Sequence, residues 1–141
     1  MKAKILLVDD DDGVLAALAA ALGSEGYDVA VARNGREAIE QFREGHVRMA
    51  LLDLSMPVKG GWETCERLAT LHPLLPMIVI TAQPDQYPLA VAAGVDALME
   101  KPLDLPLLLR TISELLAEPV EQRLARRAVK PPGTRYLRAE A

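Results

Sequence analysis

Ile5-Leu6-Leu7-Val8, running straight into Asp9-Asp10-Asp11-Asp12, is the stretch that decides the fold. Four apolar residues in a row are too few for a helix. They also lack the polar alternation of a half-exposed strand, so they read as a strand buried on both faces of a parallel sheet. Two other runs have the same character: Met49-Ala50-Leu51-Leu52, ending at Asp53, and Met77-Ile78-Val79-Ile80, ending at Thr81. Asp28 to Ala32 and Ala97 to Met99 are weaker strand candidates.

Helical patterns lie between these runs. Asp12 to Leu22 carries Val14, Leu15, Leu18 and Leu22 at helical spacing in an alanine-rich background. Asn34-Gly35-Arg36-Glu37 has the form of a capping box opening a helix to about Glu44. A third helix is predicted from Gly61 to Leu71, stopped by Pro73. A fourth runs from Pro88 to Ala93 and ends at Gly94, and a fifth begins after Asp104 and stops at Pro119. Strand and helix thus alternate five times, which implies right-handed crossovers and a parallel sheet covered on both faces. The predicted architecture is a flavodoxin-like, doubly wound, five-stranded parallel sheet of order 2-1-3-4-5 with five helices, over residues 1–118. Beyond Pro119 come Arg123, Arg126, Arg127, Lys130, Arg135 and Arg138 around a Pro131-Pro132-Gly133 break. This stretch, 119–141, reads as a flexible basic tail.

Composition narrows the class. Of the 141 residues, half are hydrophobic and about a quarter charged, the balance of a packed soluble protein. A net charge of −4 argues against a dedicated nucleic-acid binder, and the lone Cys65 cannot form an internal disulfide. The apolar run behind Met1-Lys2-Ala3-Lys4 is too short for a signal peptide or for a membrane span of roughly 20 apolar residues, so a cytoplasmic location is expected.

Residues able to do chemistry fall where strands end: Asp9 and Asp10 after the first, Asp53 after the third, Thr81 after the fourth and Lys101 after the fifth. In such a sheet, ligands bind beyond the carboxyl ends of the strands where strand order reverses, here between the first and third. Converging carboxylates raise one another's pKa and call for a cation. Mg²⁺ suits them, because it takes one or two carboxylates, waters and a phosphate oxygen. Lys101 adds a compact positive charge and Thr81 a hydroxyl donor, which completes a set suited to phosphoryl transfer. Taken singly, each residue has a plainer role. Asp11 or Asp12 would be a helix N-cap, Asp53 a turn residue, Thr81 a β-branched strand residue and Lys101 a surface lysine. Their joint placement at successive strand ends is what carries the chemical reading. His46 and His72 have no matching cysteine or carboxylate cluster, and Cys65, Trp62 and Tyr27 read as packing residues.

The chain resembles a response-regulator receiver domain, the phospho-acceptor unit of two-component signalling. The resemblance rests on Ile5-Leu6-Leu7-Val8-Asp9-Asp10, Leu51-Leu52-Asp53-Leu54-Ser55-Met56-Pro57 with Gly61, Ile80-Thr81-Ala82, Ala93-Gly94-Val95-Asp96 and Lys101-Pro102. It implies that Asp53 takes a phosphoryl group from a sensor histidine kinase or a histidine phosphotransfer protein. It further implies a Mg²⁺ held by Asp10, by Asp9 largely through water, by Asp53 and by the backbone carbonyl of Ser55, with Thr81 and Lys101 binding the phosphoryl oxygens. The Lys101–Pro102 peptide is expected to be cis. Such a domain catalyses only its own phosphorylation and dephosphorylation, and hands its signal to a downstream protein or fused output domain. A homodimer through the face of the fourth helix, fifth strand and fifth helix is among the partners the resemblance admits. The sequence departs from the family pattern at Leu98, where an aromatic is usual, and in the short stretch from Thr81 to Lys101 with Pro84 and Pro88.

Two other readings compete. Asp10-Asp11-Asp12-Gly13-Val14-Leu15 resembles the first motif of haloacid-dehalogenase-like phosphatases, with Asp10 as nucleophile and Asp12 as acid/base, but this leaves Asp53 and its loop unexplained. A pseudo-receiver that binds a partner without phosphorylation is the other, and the intact acidic set counts against it.

Overall fold

The computed structural model describes residues 2–44, 46–54, 61–128 and 134–138. Strands β1 (Lys4–Val8), β2 (Asp28–Ala32), β3 (Val47–Asp53), β4 (Met77–Thr81) and β5 (Ala97–Glu100) alternate with helices α1 (Asp12–Ser24), α2 (Gly35–Glu44), α3 (Gly61–Leu71), α4 (Tyr87–Ala93) and α5 (Leu105–Ala117). All strand pairs are parallel, and the order β2-β1-β3-β4-β5 agrees with the sequence-based expectation.

Local chemistry starts and stops the helices. Asp11 Oδ1 accepts from the amides of Gly13 and Val14 at 2.8 and 3.1 Å and caps α1. Asn34 Oδ1 accepts from Glu37 N at 2.9 Å at the start of α2, and Asp104 Oδ1 from Leu107 N at 3.0 Å at the start of α5. Gly94 closes α4 at φ 76°, a left-handed conformation that suits glycine.

The core lies in two layers. Leu6, Ala50, Leu52 and Val79 pack on one side with Cys65 and Leu68 of α3 and Ala90 of α4. Ile5, Leu7, Leu51, Ile78 and Ile80 pack on the other with Leu15 and Leu18 of α1 and Leu108 and Ile112 of α5. Successive residues of β1 thus feed opposite layers, which explains the absence of polar alternation.

The prediction of five strands, five helices and a flexible tail needs correction. Val120–Ala128 form a sixth helix, α6, and Arg135–Arg138 a sixth strand, β6, which pairs in parallel with the outer edge of β5. For α6 the reason is electrostatic. Asp96, at the head of β5, is wholly buried and accepts from the amide of Met77 at 2.8 Å. Arg126 and Arg127 of α6 lie 2.6 and 2.9 Å from its two carboxylate oxygens, and Arg126 also reaches Glu118 at 2.8 Å. Arg123 donates to the carbonyls of Leu74 and Leu115 at 2.7 and 2.6 Å. A buried carboxylate needs such partners, and the arginines of the supposed tail supply them.

Candidate functional site

Parallel pairing sets the strand ends side by side. Val8 is in register with Leu52, Asp53 with Ile80, and Thr81 with Glu100, so the residues that follow β1, β3, β4 and β5 share one edge of the sheet. Asp9 is buried. Its Oδ1 accepts from Asp11 N at 3.0 Å, whereas its Oδ2 is buried without a hydrogen-bond partner. Burial pushes the Asp9 carboxyl up to about 7, against the hydrogen bond from Asp11 and with help from the nearby charge of Asp53. Asp10 is exposed at the mouth of the same crevice. Asp53 is 2 % exposed, and Lys101 Nζ stands 3.1 Å from its Oδ2. The buried Thr81 hydroxyl donates to Leu54 O at 3.1 Å, one residue past Asp53, and accepts from Gln83 N at 3.0 Å. The Lys101–Pro102 peptide is cis.

Asp9, Asp10 and Asp53 line one cavity of about 310 Å³, which extends between the start of α2 and α3 past Arg33, Asn34, Thr64 and Arg67. Thr81 and Lys101 approach Asp53 from the β4 and β5 side and are not part of that lining. Gly35 keeps the α2 side close-packed, since a Cβ there would sit 2.5 Å from Thr64 Oγ1. Ser55, the expected source of a backbone ligand, lies outside the described residues, as do Met56, Pro57 and Gly60.

Among the described residues, no three acidic, histidine or cysteine side chains are arranged to hold a metal unaided. The donor set nevertheless fits a hard divalent ion, which needs only one or two carboxylates from the protein. An unpartnered buried oxygen on Asp9 beside an exposed Asp10 provides such a share. Strand-end reasoning passed over Arg33, which follows β2, lines the cavity and pairs with Asp12 at 2.6 Å. Applied to the second strand as well, the same rule would have pointed to it.

The model of the family described as the response regulator receiver domain matches residues 5–113. The chain belongs to this family. Relatives include the transcriptional regulatory protein ZraR of Klebsiella oxytoca, 38 % identical over 80 % of this chain and 26 % of the relative. The response regulator MprA of Mycolicibacterium vanbaalenii is 37 % identical over 82 % of this chain and 51 % of that protein. The chain therefore spans about a quarter to a half of the length of these two relatives. Among solved structures, a CheY-like receiver domain from Methanospirillum hungatei JF-1 superposes with a TM-score of 0.76 at 28 % identity, covering 89 % of this chain and 98 % of that one. A response regulator from Chloroflexus aurantiacus gives 0.76 at 30 % identity, over 84 % of this chain and 100 % of the other.

The protein is thus a receiver domain of two-component signalling, and the phosphatase reading finds no support in these relatives. Asp12, its would-be acid/base, is instead held on the surface by Arg33. No described helix is long and apolar enough to cross a membrane.

Proposed function

We propose that Asp53 is the phospho-acceptor of this receiver domain. The observation that carries the reading is a buried Asp53 carboxylate held 3.1 Å from Lys101, beside an Asp9 whose second oxygen has no partner. A carboxylate oxygen of Asp53 attacks the phosphorus of a phosphohistidine on a sensor kinase or phosphotransfer protein. A phosphorus–oxygen bond forms, the phosphorus–nitrogen bond breaks, and the imidazole leaves with the bonding pair. Lys101 neutralises charge on the transferred group, and the Thr81 hydroxyl turns from Leu54 O to donate to one of its oxygens. Mg²⁺, when bound by Asp9, Asp10 and Asp53 with the carbonyl of Ser55, supplies charge neutralisation for the incoming phosphoryl oxygens. The chain acts on no substrate besides its own aspartate. We place this exchange in the cytoplasm, consistent with the free thiol of the buried Cys65.

The test is labelling with acetyl phosphate and Mg²⁺, read by mass spectrometry. The wild-type chain is expected to gain one phosphoryl group at Asp53, and Asp53→Asn none. A label that persists in the variant places the acceptor elsewhere.

A further inference from the structure

β6 is gripped by the elements that follow directly from the site. The Tyr136 ring stacks on Tyr87 of α4, with centroids 5.2 Å apart and planes 19° apart. Its hydroxyl bonds to the carboxylate of Glu100, the residue before Lys101. The Tyr87 hydroxyl donates to Thr134 O at 3.1 Å. Outside these grips, Arg135 pairs with Glu114 of α5 at 2.7 Å, and Thr134 Oγ1 donates to Val95 O at 2.8 Å.

We infer that residues 134–138 form a displaceable strand that shuts the outer edge of β5 while Asp53 is unmodified, and that Tyr136 couples it to the site. The inference rests on the phospho-acceptor reading above. A phosphoryl group brings three acceptor oxygens and close to two negative charges to Asp53. Thr81 has a single hydroxyl proton, so donating it to the phosphoryl group breaks the bond to Leu54 O. Gln83 N bonds to the same hydroxyl, so the turn of residues 82–86 follows it, and that turn leads into Tyr87. Lys101 N donates to Thr81 O at 2.8 Å, and Glu100 is the register partner of Thr81, so the end of β5 is disturbed as well. Both grips on Tyr136, the ring of Tyr87 and the carboxylate of Glu100, therefore shift together. A four-residue edge strand with a ladder on one side opens at low cost. Opening leaves a bare strand edge, flanked by Tyr87, Glu100 and Glu114. α6 keeps the released strand tethered, because its arginines clamp Asp96 at the opposite end of β5.

Amide exchange of the full chain in Mg²⁺, with and without beryllofluoride as a phosphoryl mimic, tests this, with fluorine NMR reporting whether the mimic is seated. Seated mimic is expected to speed exchange in residues 135–138 about fivefold, the worth of one aromatic pair and its hydrogen bond, and to leave 120–128 unchanged. Seated mimic with unchanged exchange in 135–138 overturns the inference and leaves the acceptor reading standing. Failure of the mimic to seat removes both. Tyr136→Ala is expected to loosen 135–138 without the mimic. By reciprocity it should lower the half-saturating beryllofluoride concentration by a like factor, about fivefold, with Tyr136→Phe intermediate. An unaltered half-saturation in Tyr136→Ala likewise overturns the coupling.

Discussion

Replacing Asp9 by asparagine should stabilise the metal-free protein, although it removes a residue assigned to the site. The Asp9 carboxylate is buried, one of its oxygens has no partner, and it faces the charge of Asp53. The sign follows from its raised pKa. Between the ordinary value of 3.8 and about 7, the folded chain keeps a proton that the unfolded chain has released. Stability therefore falls as pH rises through that window and stays low above it. At about 1.4 kcal/mol per pH unit, the whole window amounts to a ceiling of about 4 kcal/mol at pH 8. Water at the crevice mouth screens part of this, so about 2 kcal/mol is the expected gain for Asp9→Asn. Urea denaturation in a chelator measures it directly: a gap of about 2 kcal/mol at pH 8 that closes toward pH 4. Adding Mg²⁺ should reverse the order, because the cation stabilises only the chain that binds it well. An asparagine variant no more stable than wild type at pH 8 in chelator, or a gap that ignores pH, would refute the claim that Asp9 is held ionised at a cost.

Asp10→Asn should weaken Mg²⁺ binding far more than Asp11→Asn does, because Asp11 is spent on capping α1; calorimetric titration with Mg²⁺ decides it, and equal losses would remove Asp10 from the ligand set. Lys101→Ala should leave Mg²⁺ binding intact while slowing acetyl-phosphate labelling by roughly a hundredfold, the usual cost of one positioned charge-stabilising donor; lost metal binding with normal labelling would contradict that role. Arg126→Ala should cost about 2 kcal/mol in urea denaturation, less than a fully broken buried pair because Arg127 still serves Asp96. Beryllofluoride should change amide protection across residues 82–93, the turn and α4, and protection changes confined to the Asp53 loop would count against a path through Thr81.

The fold was legible because its signals are local. Each buried strand announces itself in four or five residues, and the caps at Asp11, Asn34 and Asp104 bond to amides two or three positions away. The gathering of Asp9, Asp53, Thr81 and Lys101 was legible for a different reason: parallel crossovers return every strand to the same edge, so residues far apart in sequence share a position relative to their strands. The hydrogen bond from Thr81 to Leu54 O and the lone Asp9 oxygen were not legible, since both depend on side-chain rotation inside a packed site.

The segment beyond Pro119 was misread because its partners are remote. Arg126 and Arg127 meet Asp96 across about thirty residues of sequence, and no window short enough to show periodicity contains both ends. A run of arginines alone is indistinguishable from a solvated face. The usable signal lay at Asp96. A carboxylate at the head of an apolar strand is buried by the same reasoning that buries Ala97, Leu98 and Met99, and a buried carboxylate requires cations. Lys101 serves the other end of β5, and the arginines that reach Asp96 are two of those after residue 119. With α6 anchored on Asp96, Thr134 lies at the same end of β5, its hydroxyl donating to Val95 O, beside the edge of β5 that β4 does not pair. Arg135-Tyr136-Leu137-Arg138, too charged to read as a buried strand, becomes a strand by satisfying that edge. Leu98 then has Tyr136 as its register partner, so the aromatic absent from β5 stands one strand away.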